Sequence, residues 1–149
     1  MNASSARFVG TLSVSPYPDG KTWYLNRSIV FKSAIAGDVR VPRGFETDFA
    51  SVPAIVTNLF PRWSTYGPAS VIHDWLYWNQ HVAREVSDQV FLEAMVVSQV
   101  EHWKRFVLFR AVRWFGGWAW CDNELIAQQG FSRVRTLASP NVPAWSRER

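Results

Sequence analysis

Between residues 68 and 100 the sequence carries two helix-length apolar stripes joined by a short polar connection, "QHVAR". Each stripe is interrupted once by a side chain that is costly to bury unpaired. On a helix from about Pro68 to Asn79, the residues Ala69, Ile72, Leu76 and Tyr77 share a face, and His73 lies within it. On a helix from about Arg84 to Val100, the stripe is Phe91, Leu92 and Met95, and Asp88 precedes it by one helical turn. The short connection makes the two helices antiparallel neighbours. His73 and Asp88 stand at nearly equal distance from its midpoint near residue 81, so they face each other.

A histidine and a carboxylate buried at matched depth are expected to hydrogen-bond, because each is otherwise unsatisfied. Asp88 would accept from one ring nitrogen and fix the tautomer, leaving the other nitrogen to take a proton from water. The same pair equally reads as a strut that pins helix register. The sequence leaves strut and catalyst open. Asp74 lies one step round the helix, near Trp78. A second carboxylate beside the same histidine is a candidate ligand for a hard cation such as Ca²⁺, with backbone carbonyls of the preceding Tyr66 and Gly67. Solvent exposure, or a salt bridge to an arginine, is its plainer reading.

The first 48 residues read as β-structure. "RFVGTLSV", "TWYLN" and "SIVFKS" are strand-like, and Asp19-Gly20 marks a hairpin. "AGD" at 36–38 reads as a turn. "VRVPRGFET" is extended, with Pro42 placing it at a sheet edge or strand end. Beyond Thr47, "SVPAIVTNLF" can open a short helix with Ser51 as its cap. A third helix covers about His102 to Phe115. Gly116-Gly117 weakens its continuation, although "WAWCDNELIAQQ" can resume helically. Glu46 and Glu85 read as surface charges. The expected fold is α+β: antiparallel hairpins or a small sheet over about 7–48, then a helical half built on an antiparallel helix hairpin. All 149 residues are expected to form one domain, with an irregular tail from about 132.

At 48% hydrophobic and 19% charged residues, the chain excludes a disordered class. Its formal charge of +4 rests largely on late residues such as Lys104, Arg105, Arg110, Arg113, Arg133 and Arg135. No nucleic-acid module surrounds them, so nucleic acid is not an expected partner. The helix from 102 carries Trp103, Phe106, Val107, Arg110, Arg113 and Trp114 in alternating apolar and basic rows. It suits a cover over the sheet, an anionic lipid surface or a partner protein. Trp118 and Trp120 suit an exposed aromatic contact. The stretch 106–120 is too short and too charged to span a membrane. A single cysteine, Cys121, excludes an internal disulfide and argues against a cysteine-based zinc site. "MNASSARFVG" shows no secretory leader, so synthesis in the cytoplasm is expected.

Two resemblances add expectations. A histidine-aspartate pair, two spacers and a tyrosine, with an aspartate on the next antiparallel helix, resembles the catalytic helices of phospholipase A2. The disulfide-free form in parvovirus capsid proteins is the nearer likeness. It covers about residues 66–95 and implies a hydrolase in which His73 activates water, Asp88 orients it, Asp74 binds Ca²⁺ and Tyr77 supplies a supporting hydroxyl. Where that family has a glycine-rich calcium loop, this sequence has "YGP" directly abutting the helix. "VPRGFETDFASVP", "YGPASVIHDWLY" and "SDQVFLEAM" together resemble domain-of-unknown-function family 1353, found largely in bacteriophages and prophages. That likeness implies a phage setting, with other phage structural proteins as partners, and no particular activity. It also marks Thr47 and Asp48 as a further candidate site able to reach the His73 site, against a plain helix-capping role for Asp48 or Ser51.

Overall fold

The computed structural model describes residues 5–48 and 65–136. The fold is α+β, and among the described residues two small antiparallel sheets are followed by three helices. The helix expected from Ser51 lies outside the described residues, as does the tail beyond 136.

The first sheet has the order β1 (Arg7–Val9), β4 (Ile29–Ser33), β5 (Gly37–Val41). The second has the order β2 (Val14–Pro16), β3 (Trp23–Leu25), β6 (Glu46–Thr47). The β-branched and aromatic run of β4 suits a central strand, and Phe31 there is fully buried against Phe8, with ring centroids 4.8 Å apart. The continuous strand expected over "RFVGTLSV" is instead two strands in different sheets. Gly10, at φ +90°, makes the break, a conformation that costs glycine little.

Asp19-Gly20 does close a hairpin, between β2 and β3. One Asp19 oxygen accepts from the N–H groups of Lys21 and Thr22 at 2.9 Å, and the other accepts from the Thr22 hydroxyl. The turn placed at 36–38 lies earlier, because Ser33 already pairs with Gly37 and Lys32 with Asp38. Pro42 follows the last residue of an edge strand, as its missing N–H requires. The chain then crosses to the second sheet.

Helix α1 is Gly67–Asn79, α2 is Arg84–Val97 and α3 is His102–Gln128. Pro68 sits in the first turn of α1, and Gln80 ends it in the left-handed conformation. The two glycines at 116 and 117 do not interrupt α3, which runs on for 27 residues. One core cluster joins strand residues Leu25, Phe31 and Val41 to helix residues Ile72, Phe91 and Leu108. Glu93 of α2 clamps the β4–β5 turn, accepting from the Ser33 hydroxyl and from the Ala34 N–H at 2.9 Å. After α3 the chain is not irregular at once: Val134 bridges Phe45, and the Glu46 N–H donates to the Arg133 carbonyl at 2.7 Å.

Candidate functional site

His73 and Asp88 meet across the antiparallel α1–α2 hairpin, with Nε2 2.8 Å from Asp88 Oδ1 and neither side chain exposed. Tyr77, one turn on from His73, donates its hydroxyl to the same oxygen at 2.7 Å. The His73 ring lies between Tyr77 and Phe91, with centroids 4.1 and 4.7 Å away. The other carboxylate oxygen is held by α3: Arg113 donates to Oδ2 at 2.8 Å, and Arg84 stands 3.6 Å from it. Asp88 thus gathers groups from all three helices.

The electrostatics follow from these contacts. Burial acts to raise the Asp88 carboxyl pKa, but hydrogen bonds from His73, Tyr77 and Arg113 outweigh it and hold the group below its ordinary value. Tyr77 is pushed well above its ordinary value, first by burial and then by the hydrogen bond to Asp88, so it remains a donor. His73 Nδ1 is buried and has no hydrogen-bond partner among the described residues.

Two participants were not legible as such. Arg113 reads in the sequence as one of several late basic residues, yet it ion-pairs with Asp88 and also lies 3.8 Å from Glu85. Gly116 reads as a weak point in the helix. It is instead the place where Tyr77 fits, because a Cβ there would collide with the Tyr77 hydroxyl, while the same addition at Gly117 meets open space. A glycine persisting inside an apolar helical pattern was the available signal. Beside it, the edge of the Trp120 ring meets Tyr77 at 5.1 Å, and Gln80 Nε2 donates to the Trp120 carbonyl at 2.8 Å.

Asp74 does not face solvent. It is buried and accepts a hydrogen bond from the Thr47 hydroxyl, so it ties α1 to β6. The Tyr66 carbonyl accepts from the Ser70 N–H at 2.9 Å as the first rung of α1. Asp74 lies eight positions further along the helix, a rise of about 12 Å. Among the described residues no three His, Cys, Asp or Glu side chains gather as a metal ion would require.

Thr47 therefore reaches Asp74, the residue next to His73. Asp48 lines a cavity of about 230 Å³ with Thr22, Glu46, Thr47, Phe131 and Arg133, between the second sheet and the end of α3. Glu46 is no surface charge: it is 4% exposed and accepts from the Tyr17 hydroxyl. Glu85 is exposed, as expected. Among the described residues no helix is long and apolar enough to cross a membrane.

No curated protein and no solved structure matches the chain. A family model described as "Protein of unknown function (DUF1353)" matches residues 23–112, from β3 into α3. That span includes Thr47, Asp48, His73, Asp74, Tyr77 and Asp88, and it covers more than half of the sequence, so the chain belongs to the DUF1353 family.

Proposed function

We propose that this chain is a non-catalytic structural component, in the phage or prophage setting that its motifs resemble, and that His73–Asp88 is a strut locking three helices. The observation that carries this reading is a fully buried pair whose carboxylate already holds Arg113, Tyr77 and His73. A general base needs a path for water to its open nitrogen. Neither the cavity beside β6 nor the groove between α2 and α3 is lined by His73. The charge on Asp88, which a catalytic dyad directs at its histidine, is matched here by an arginine 2.8 Å away. A component of this kind works through contacts, and its natural partners are other structural proteins of the particle.

The second reading, an ester hydrolase of the phospholipase A2 type, draws on His73 Nδ1. It is a buried ring nitrogen without a partner among the described residues, while the other ring nitrogen meets Asp88. Such an atom calls for an explanation, and a water held there for attack on an ester is one.

The test is release of fatty acid from mixed phospholipids by the folded wild type, with and without Ca²⁺, beside His73→Gln. The strut reading expects no release under either condition, a lower melting temperature for the variant, and recovery of the wild type with assembled particles. Release that disappears in a folded His73→Gln protein overturns the strut reading in favour of the hydrolase.

A further inference from the structure

Helix α3 has two apolar faces. The inner one buries Leu108, Ala111, Val112 and Gly116 against the core. The outer one carries Trp103, Phe106, Trp114, Trp118 and Leu125, at successive spacings of three, eight, four and seven that keep them in one row. Trp118 is 84% exposed and Trp114 69%. A contiguous apolar row of this length on a folded chain marks a contact surface.

The charges along the row distinguish what it contacts. From 102 to 120 the helix holds Lys104, Arg105, Arg110 and Arg113 and no carboxylate; Lys104 pairs with Glu101 and Arg113 turns inward to Asp88, so Arg105 and Arg110 carry the charge of the outer row, with Asp122 and Glu124 beyond its far end. Arg110 lies in the middle of the row, over the rings of Phe106 and Trp114 at 5.1 and 5.8 Å. In an interface between two copies, a buried Arg110 would have to reach the acids at the ends of the other copy's row, Glu101, Asp122 or Glu124, to be neutralised. At a lipid headgroup layer, the phosphates supply that counter-charge and the indole rings lie at the polar–apolar boundary. A groove of about 310 Å³ opens beside Phe106, with Leu92, Val96 and Phe109 in its lining and Arg105 and His102 among its polar residues. It offers an acyl chain an apolar bed next to basic side chains.

We infer that the outer face of α3 docks on an anionic lipid surface, with the helix lying along the membrane plane. The inference is independent of whether His73 is strut or base. The helix does not cross the bilayer: it is the rim of a folded domain, and its inner face is already committed to the core.

The experiment is flotation of the full chain with vesicles of equal parts phosphatidylcholine and phosphatidylglycerol, against vesicles of phosphatidylcholine alone. The expected result is binding to the anionic vesicles that weakens as salt rises. Reversing one central charge with Arg110→Glu is expected to weaken binding on the order of tenfold. Trp118→Ser is expected to weaken it several-fold without changing the circular dichroism spectrum. A polarity-sensitive dye on Cys121, an exposed residue of the same row, should shift to the blue only with anionic vesicles. Absence of binding to anionic vesicles, or equal binding to both kinds, overturns the inference. So does sedimentation showing a dimer that Trp118→Ser abolishes, because the row would then be an interface between copies.

Discussion

The interior between the three helices and the outer face of α3 are inverted relative to one another. Inside, where apolar residues are the rule, stand His73, Asp88 and Tyr77, with Arg113 reaching in. Outside, where polar residues are the rule, stand Trp103, Phe106, Trp114 and Trp118. One helix supplies both, since Arg113 turns inward and the next residue, Trp114, turns out. Each oxygen of the inner carboxylate has a donor within 3 Å, so its burial is compensated and its role is to fix geometry. Trp114 and Trp118, the most exposed of the outer rings, bury little and add little to the fold. Their composition answers to something that arrives from outside.

The comparison breaks most visibly at its inner half. Asp88→Ala leaves a ring nitrogen, a phenol and a guanidinium without their acceptor. It should destabilise the protein by about 3–5 kcal/mol, read as a fall in the urea midpoint. A loss below about 1 kcal/mol would mean that the network is not what holds the helices.

The two neighbouring glycines of α3 test the same contrast at one-residue resolution. Gly116→Ala should cost about 1–3 kcal/mol, because its methyl meets Tyr77. Gly117→Ala meets open space, so helix propensity should make it stabilising by up to about 1 kcal/mol. Thermal melts of the two variants should therefore move in opposite directions. Equal shifts would remove the case for close packing at Gly116.

Acid should undo the inner half selectively. Asp88 is held below its ordinary pKa when folded, so its contribution is fully present above the unfolded carboxylate value of about 3.9 and is lost as pH falls through the lower folded value. The stability gap between wild type and Asp88→Asn should be constant above about pH 5 and should close towards about pH 2. Urea midpoints across that range measure it, and a gap that stays constant would assign the effect to packing. The smallest effect belongs to the outer half. Trp118→Ser should change stability by no more than about 0.5 kcal/mol, by thermal melt, because the ring is almost wholly exposed.

The His73–Asp88 pairing was legible because two helical periods and one short loop fix which residues stand opposite each other. Asp74 was misjudged because a helical wheel separates faces without saying what covers them. The face of Asp74 is covered by β6, which arrives from a second sheet. Glu46 was misjudged for the same reason, since Tyr17 from the hairpin loop closes over it. The break at Gly10 was hidden by an alternation that continues across it although the strands on either side have different partners.

By itself, then, the sequence determined an α+β order, the helix hairpin and the meeting of His73 with Asp88. Periodicity and loop length are local properties, and they survive whatever the rest of the chain does. Only the tertiary structure decided that Arg113, 25 residues from Asp88, completes the network, that Gly116 makes room for Tyr77, and that Thr47 holds Asp74. Each of these joins elements whose approach depends on the path of the whole chain, because a side chain's spacing along its own helix carries no information about what packs against it.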